Sequence, residues 1–210
     1  MLKKLFSRRK KPPTRQLDSP EQLAVGDMLT LKYREVLPAD LREKLFEVVN
    51  VGTYEYATGT QKELVLKGED SQIYFLGLEN EDGELSLCFS QKVSRQLLLR
   101  FIDEQQFAQL WSEEWAELSV DKPPEQLVDW LCPHYRQTHK EQEAYYYPRD
   151  CHGQNLDAAD DGEELRYHQC EGSDEGYGLG VEIGEDGSTE VFLQRYCGVD
   201  VIEQMWPHGH

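Results

Sequence analysis

No stretch of this 210-residue chain approaches the roughly 18 consecutive apolar residues that a membrane-spanning helix needs. A secretory signal is missing as well. Behind Lys4 the apolar run is only Leu5 and Phe6, and basic residues follow at once. Both absences predict a soluble, cytoplasmic body. Cysteine is sparse and odd in number: Cys88, Cys132, Cys151, Cys170 and Cys197 read as reduced thiols rather than a disulfide framework. Basic residues are scarce too. The 22 Lys+Arg stand against 40 Asp+Glu, a formal charge of −18. That excess excludes nucleic-acid binding by any broad surface, because the phosphate backbone would be repelled.

Sequence signatures of catalysis are equally thin. There is no Gly-x-Ser-x-Gly elbow, and no cysteine sits in a recognisable catalytic context. The stretch YGLGVEI (177–183) has Gly-x-Gly but neither a third glycine nor a following helix, so it is not a phosphate-cradling loop. DAADDGEE (157–164) has the composition of a calcium loop without the alternating Asp register. No catalytic residue and no cofactor is assigned on these grounds.

What is present begins with a basic arm. Seven of the first fifteen residues are Lys or Arg, and no acid precedes Asp18. Residues 1–18 hold Pro12 and Pro13 and too little apolar surface to pack, which predicts a flexible arm. Leu2, Lys3, Lys4, Leu5, Phe6, Arg8, Arg9, Lys10 and Lys11 are the candidate contact residues. Three readings stay open: contact with an anionic membrane surface, docking on an acidic partner or on the body itself, and a solvated tail.

The body reads as α+β, mainly antiparallel β, in two β-meander units joined by short helices. Met28–Tyr33 alternates with period two. LFEVVNVGTYEY is rich in β-branched and aromatic residues, with bends or bulges expected at Gly52 and Gly59. ELVLKGED, SQIYFLGLE and ELSLCFS follow, the last two joined by an NEDG hairpin. After Gln91 the period lengthens. Phe107, Leu110, Trp111 and Trp115 fall on one face of a helix expected across 103–118, and DKPP separates it from another at EQLVDWL. A first unit over 19–120 and a second over 121–210 follow from that break. The second unit holds strands at EAYYYPRD, ELRYHQC, YGLGVEI and TEVFLQRYC, then a short helix or turn at the C-terminus. ELVLKGEDSQIYFLGLENEDGELSLCF and EELRYHQCEGSDEGYGLGVEIGEDGSTEVFL share their order of strands and acidic turns, a weak internal repeat that generic antiparallel meanders also produce.

Two side-chain groups bear on chemistry. Cys132, His134, Cys151, His152, His168 and Cys170 gather three Cys/His pairs within forty residues, but not at zinc-knuckle spacing. Tyr145, Tyr146 and Tyr147, with Trp206, could line a ligand cleft or pack a sheet.

LAVGD, LFEVVNVGTYEYATGTQKELVL, the EDG hairpin and the closing TEVFLQRYCGVDVIEQMWP together resemble the YjfK-like bacterial proteins of unknown function, across roughly residues 23–207. That group is often encoded near phage shock protein A homologues, small membrane proteins and relatives of glutathionylspermidine synthase. The resemblance implies an accessory or adaptor role in envelope-stress or polyamine-linked physiology, peripheral to the inner membrane. A phage shock protein A-like or membrane protein would be the partner, and no catalytic residue carries over. The alternative is a binding module or enzyme with an acidic cleft for a small cationic ligand such as a polyamine.

Overall fold

Alternating apolar residues and Gly-bearing acidic turns set the strands, and the computed structural model shows how they join. It describes residues 15–208 except 82, 152, 153, 155 and 157–160. The described strands are β1 (Met28–Leu31), β2 (Leu45–Tyr56), β3 (Gly59–Gly68), β4 (Ile73–Glu81), β5 (Glu84–Val93), β6 (Glu117–Ser119), β7 (His134–Tyr147), β8 (Glu163–Gly172), β9 (Tyr177–Gly184), β10 (Thr189–Gly198) and β11 (Ile202–Trp206). Two short helices, α1 (Arg95–Leu98) and α2 (Glu104–Ala108), lie in the connection between the meanders. The fold is thus α+β and mainly antiparallel β.

β2–β5 form one meander and β7–β10 the other. Antiparallel pairing of β5 with β10 joins them on one side. On the other, Thr53–Tyr56 of β2 pairs with Ala144–Tyr147 of β7. The order β2-β3-β4-β5-β10-β9-β8-β7 therefore returns to β2, closing an eight-stranded barrel. Each strand of the first meander has a topological counterpart in the second. β1 and β11 extend the sheet beyond β2, and β6 extends it beyond β7.

The two faces of this sheet have opposite character. Val48, Leu64, Leu76, Phe89, Leu193 and Leu179 share the outward face and are all buried. The chain's own segments cover them: Leu23, Leu37 and Leu41 before β2, and Leu98, Phe101, Phe107, Leu110, Leu127 and Trp130 from the connection, belong to one core with these strand residues. Polar contacts fasten the wrapping. Lys62 Nζ donates to the carbonyls of Glu21 and Leu23 at 2.9 Å. Arg195 lies 3.4 Å from the Tyr177 ring centroid and donates to Val36 O at 2.7 and 3.2 Å.

Several elements differ from the sequence reading. The helix expected across 103–118 is α2 plus a 3₁₀ turn at Gln109–Trp111, and 117–119 is strand. A buried amide takes over its hydrogen bonds. Gln137 Oε1 accepts from Ala116 N at 3.1 Å, and its Nε2 donates to Leu110 O at 3.1 Å. Lys140 Nζ binds the carbonyls of Ser112 and Glu114. EQLVDW is a 3₁₀ helix whose N-cap position is Pro124, with no side-chain cap. β7 has 14 residues and begins well before EAYYYPRD, because bulges between Gln137 and Gln142 break its alternation. The C-terminal segment opens on the expected short helical turn, Val199–Val201, but continues as β11, paired with β1.

The bulge in β2 falls between Val48 and Asn50, not at Gly52. Gly52 instead makes room for a ring: a Cβ there would lie 2.6 Å from Tyr146. Gly52→Ala should cost about 1–3 kcal/mol of stability in urea unfolding, and adding Tyr146→Ala should recover part of it. Additive losses in the double variant would contradict this contact.

Candidate functional site

The inward face of the barrel carries the unusual chemistry. Tyr54, Tyr56, Gln61, Glu63, Glu79, Cys88, Gln169, Glu182, Gln194 and Tyr196 line a cavity of about 690 Å³. Contacts across the lumen identify this face as the interior. Tyr54 on β2 donates to both carboxylate oxygens of Glu182 on β9, at 3.0 and 3.2 Å. The mouth lies where Thr58–Gly59, Asn80 and Asp174–Gly176 line the cavity, at the β2–β3, β4–β5 and β8–β9 turns. Phe75 and Phe192 meet edge to face at 5.5 Å on the same inward face, where the Lys92–Glu190 ion pair also lies, away from the mouth.

Small residues on the inner wall give the large ones their space. A Cβ on Gly77 would lie 2.8 Å from Gln61 Nε2, and one on Gly178 would lie 2.7 Å from Gln194 Oε1. The polar groups then find partners. Gln61 donates to Glu79 at 3.2 Å, Gln169 to Gln194 at 2.6 Å, and Tyr196 to Gln194 at 3.3 Å. Aromatic rings form one side of the wall. Tyr54 stacks on Tyr56 (5.8 Å, 9°) and touches Tyr146 (4.9 Å), and Tyr56 meets Tyr167 edge on.

The described lining includes six carboxylates (Glu63, Glu79, Glu171, Asp174, Glu175 and Glu182) and neither Lys nor Arg. Burial shifts the inner two, and like charge adds to it. Desolvation, then the Glu182 charge, pushes the Glu63 carboxyl up to about 8. Desolvation pushes Glu182 up to about 7. The Tyr54 hydrogen bond opposes that rise, Glu190 adds to it, and Lys92 opposes it. Burial also raises the phenols of Tyr54, Tyr56 and Tyr196 well above their ordinary value, so they stay neutral donors.

The residues singled out from sequence fall in different places. Leu2, Lys3, Lys4, Leu5, Phe6, Arg8, Arg9, Lys10 and Lys11 lie outside the described residues, as does His152. The first described basic residue, Arg15, pairs with the fully buried Asp27, which also accepts from Ala24 N and His208 N at 2.8 Å. Of the tyrosine trio, Tyr146 faces the lumen while Tyr147 donates outside it to Glu55 at 2.9 Å. Trp206 lies on β11, away from the lumen. Glu63 and Glu182, the centre of the site, were not singled out. Glu182 carried a signal, a carboxylate in an otherwise apolar strand with glycines at alternate positions, whereas Glu63 sits in a strand already rich in polar residues.

The described cysteines and histidines do not assemble. Among the described residues no three His, Cys, Asp or Glu side chains are placed to hold a metal ion. Cys132 Sγ donates to His134 O at 3.0 Å. Burial raises the Cys170 and Cys197 thiols to about 12, so they stay protonated. His168 is buried against Trp111 with Nδ1 3.0 Å from Gln137 Nε2. A second cavity, about 680 Å³, holds Ser119 and His134 with Oγ and Nδ1 3.2 Å apart. These two are direct cross-strand partners on β6 and β7, which accounts for the contact. Among the described residues nothing bonds the other imidazole nitrogen, so the pair lacks the orienting group a nucleophilic serine needs.

No family model matches the chain, and neither a curated protein nor a solved structure matches it. Among the described residues no helix is long and apolar enough to cross a membrane.

Proposed function

We propose that the protein is a binding module that holds a small cationic ligand, such as a polyamine, inside the barrel. One observation carries this reading: a cavity inside the barrel walled by tyrosine and lined by carboxylates, with no Lys or Arg among its described lining residues. Placing carboxylates in such a lumen costs free energy that a bound cation returns, both by ion pairing and through the tyrosine faces. The lining supports binding as the reading. Its phenols and carboxylates donate, accept and orient, and burial holds the Cys88 thiol protonated.

Spermidine should raise the melting temperature of the full chain. The gain corresponds to about 2.7 kcal/mol at a hundredfold excess over Kd. Sodium chloride at equal ionic strength should not reproduce it, and the E63Q/E182Q double variant should lose it. An equal shift with salt, or an undiminished shift in the double variant, would place the ligand on the acidic exterior instead.

A further inference from the structure

Glu63 on β3 and Glu182 on β9 come from different halves of the barrel and line the same cavity, where the charge of Glu182 acts on Glu63. Around Glu63 stand Glu182 and the phenols of Tyr54, Tyr56 and Tyr146. Around Glu182 stand Tyr54, Glu190 and Lys92. Lys92 is the only cation acting on the pair among these described groups, and it is already paired with Glu190. Tyr54 spends its proton on Glu182. Two enclosed carboxylates with this little compensation do not both ionise.

We propose that the lumen takes up its cationic ligand in exchange for a proton held by the Glu63–Glu182 pair. The inference rests on the ligand reading above and adds to it the state of the site before binding. As the ammonium enters, its N–H groups donate to the two carboxylates. The carboxylic O–H bond breaks, its electrons stay on oxygen, and the proton leaves to bulk water. One positive charge replaces another, so the lumen never holds two bare carboxylates. The high positions of both groups agree with this, since near neutral pH the pair retains a proton that water-exposed glutamates have lost. Coupling between the two makes the proton a property of the pair. Loading then depends on pH, and acidification releases the ligand.

Calorimetric titration of the full chain with spermidine in two buffers of different ionisation enthalpy counts the protons released. Between about pH 6 and 7.5, where the amines of spermidine stay charged, release of about one proton per bound ligand is expected, with apparent affinity rising by up to about tenfold per pH unit. E63Q should bind more weakly and release roughly half as much, because only the Glu182 carboxyl is left to give up a proton. Binding whose heat is the same in both buffers, at an affinity independent of pH, would overturn the exchange while leaving the cation reading intact. Undiminished release in E63Q would overturn the assignment to this pair. Absence of any binding heat would remove both readings.

Discussion

Unfolding of the ligand-free protein should show stability falling as pH rises from about 5 to about 8, and E63Q should remove the part of the fall that Glu63 contributes. The sign follows from the carboxyls of Glu63 and Glu182, which sit at about 8 and about 7 in the folded barrel. In the unfolded chain both release their protons near the ordinary carboxylate value. Below that value both states hold the protons and the pair costs nothing. Above it the unfolded chain binds fewer protons than the barrel, so each step up in pH favours unfolding until the folded groups also ionise. The accumulated loss is on the order of 3–5 kcal/mol, treating the two as one coupled pair. General repulsion in a chain of charge −18 also grows over this range. The informative quantity is therefore the difference between wild type and E63Q. It should be near zero at about pH 4.5 and should widen in favour of the variant toward pH 8.5. Parallel curves for the two proteins would show that Glu63 is as well solvated folded as unfolded. A variant that gains stability while losing its ligand is the usual sign of a group kept for function.

This pair also shows why the fold was easier to read than the site. β3–β5 and β8–β10 were legible because Leu64, Leu66, Leu76, Leu87 and Phe89 alternate cleanly, and because Gly83 and Gly187 supply positive φ (86° and 79°) in the hairpin turns. Closure was not. It depends on four residue pairs between β2 and β7, and nothing local in TYEY or AYYY distinguishes a barrel seam from a sheet edge. Period-two alternation says that two faces differ, not which one the sheet curls around. In a sheet with one solvated face the polar side lies outside. Here the apolar side is outside, under Leu23, Leu41, Phe107 and Trp130, so the polar side becomes a lumen. Tyr54, Gln61, Glu63 and Glu182 therefore looked like solvent-facing alternates. The helix overreach at 109–118 has a different cause. Trp111 and Trp115 have helical spacing, but they are 41% and 56% exposed, and Gln137 from a distant strand decides the backbone there. No window centred on the helix contains that residue.

The wrapping that inverts the barrel should be as consequential as the lumen. Trp130→Ala is expected to cost about 3–5 kcal/mol in denaturant unfolding, against about 1–2 kcal/mol for Trp130→Phe. Trp130 is fully buried at the end of the 3₁₀ helix Glu125–Trp130. Its indole stacks on Tyr74 of β4, with centroids 5.9 Å apart and 8° between planes. Its Nε1 donates to the Asp40 carboxylate at 3.1 and 3.2 Å, and Asp40 also accepts from Tyr74 Oη at 2.8 Å. One side chain thus joins three pieces distant in sequence: the connection between the meanders, the turn before β2 and the barrel wall. Alanine removes the ring and leaves a void against Tyr74, and Asp40 loses a donor. Phenylalanine keeps most of the stacking and loses only the hydrogen bond. If the connection merely spans the meanders without holding the outer face shut, both substitutions should cost under about 1 kcal/mol, as at exposed sites. A large loss in Trp130→Ala with a small one in Trp130→Phe would assign the energy to packing of the connection against the barrel. The lumen would then depend for its shape on a segment that never enters it.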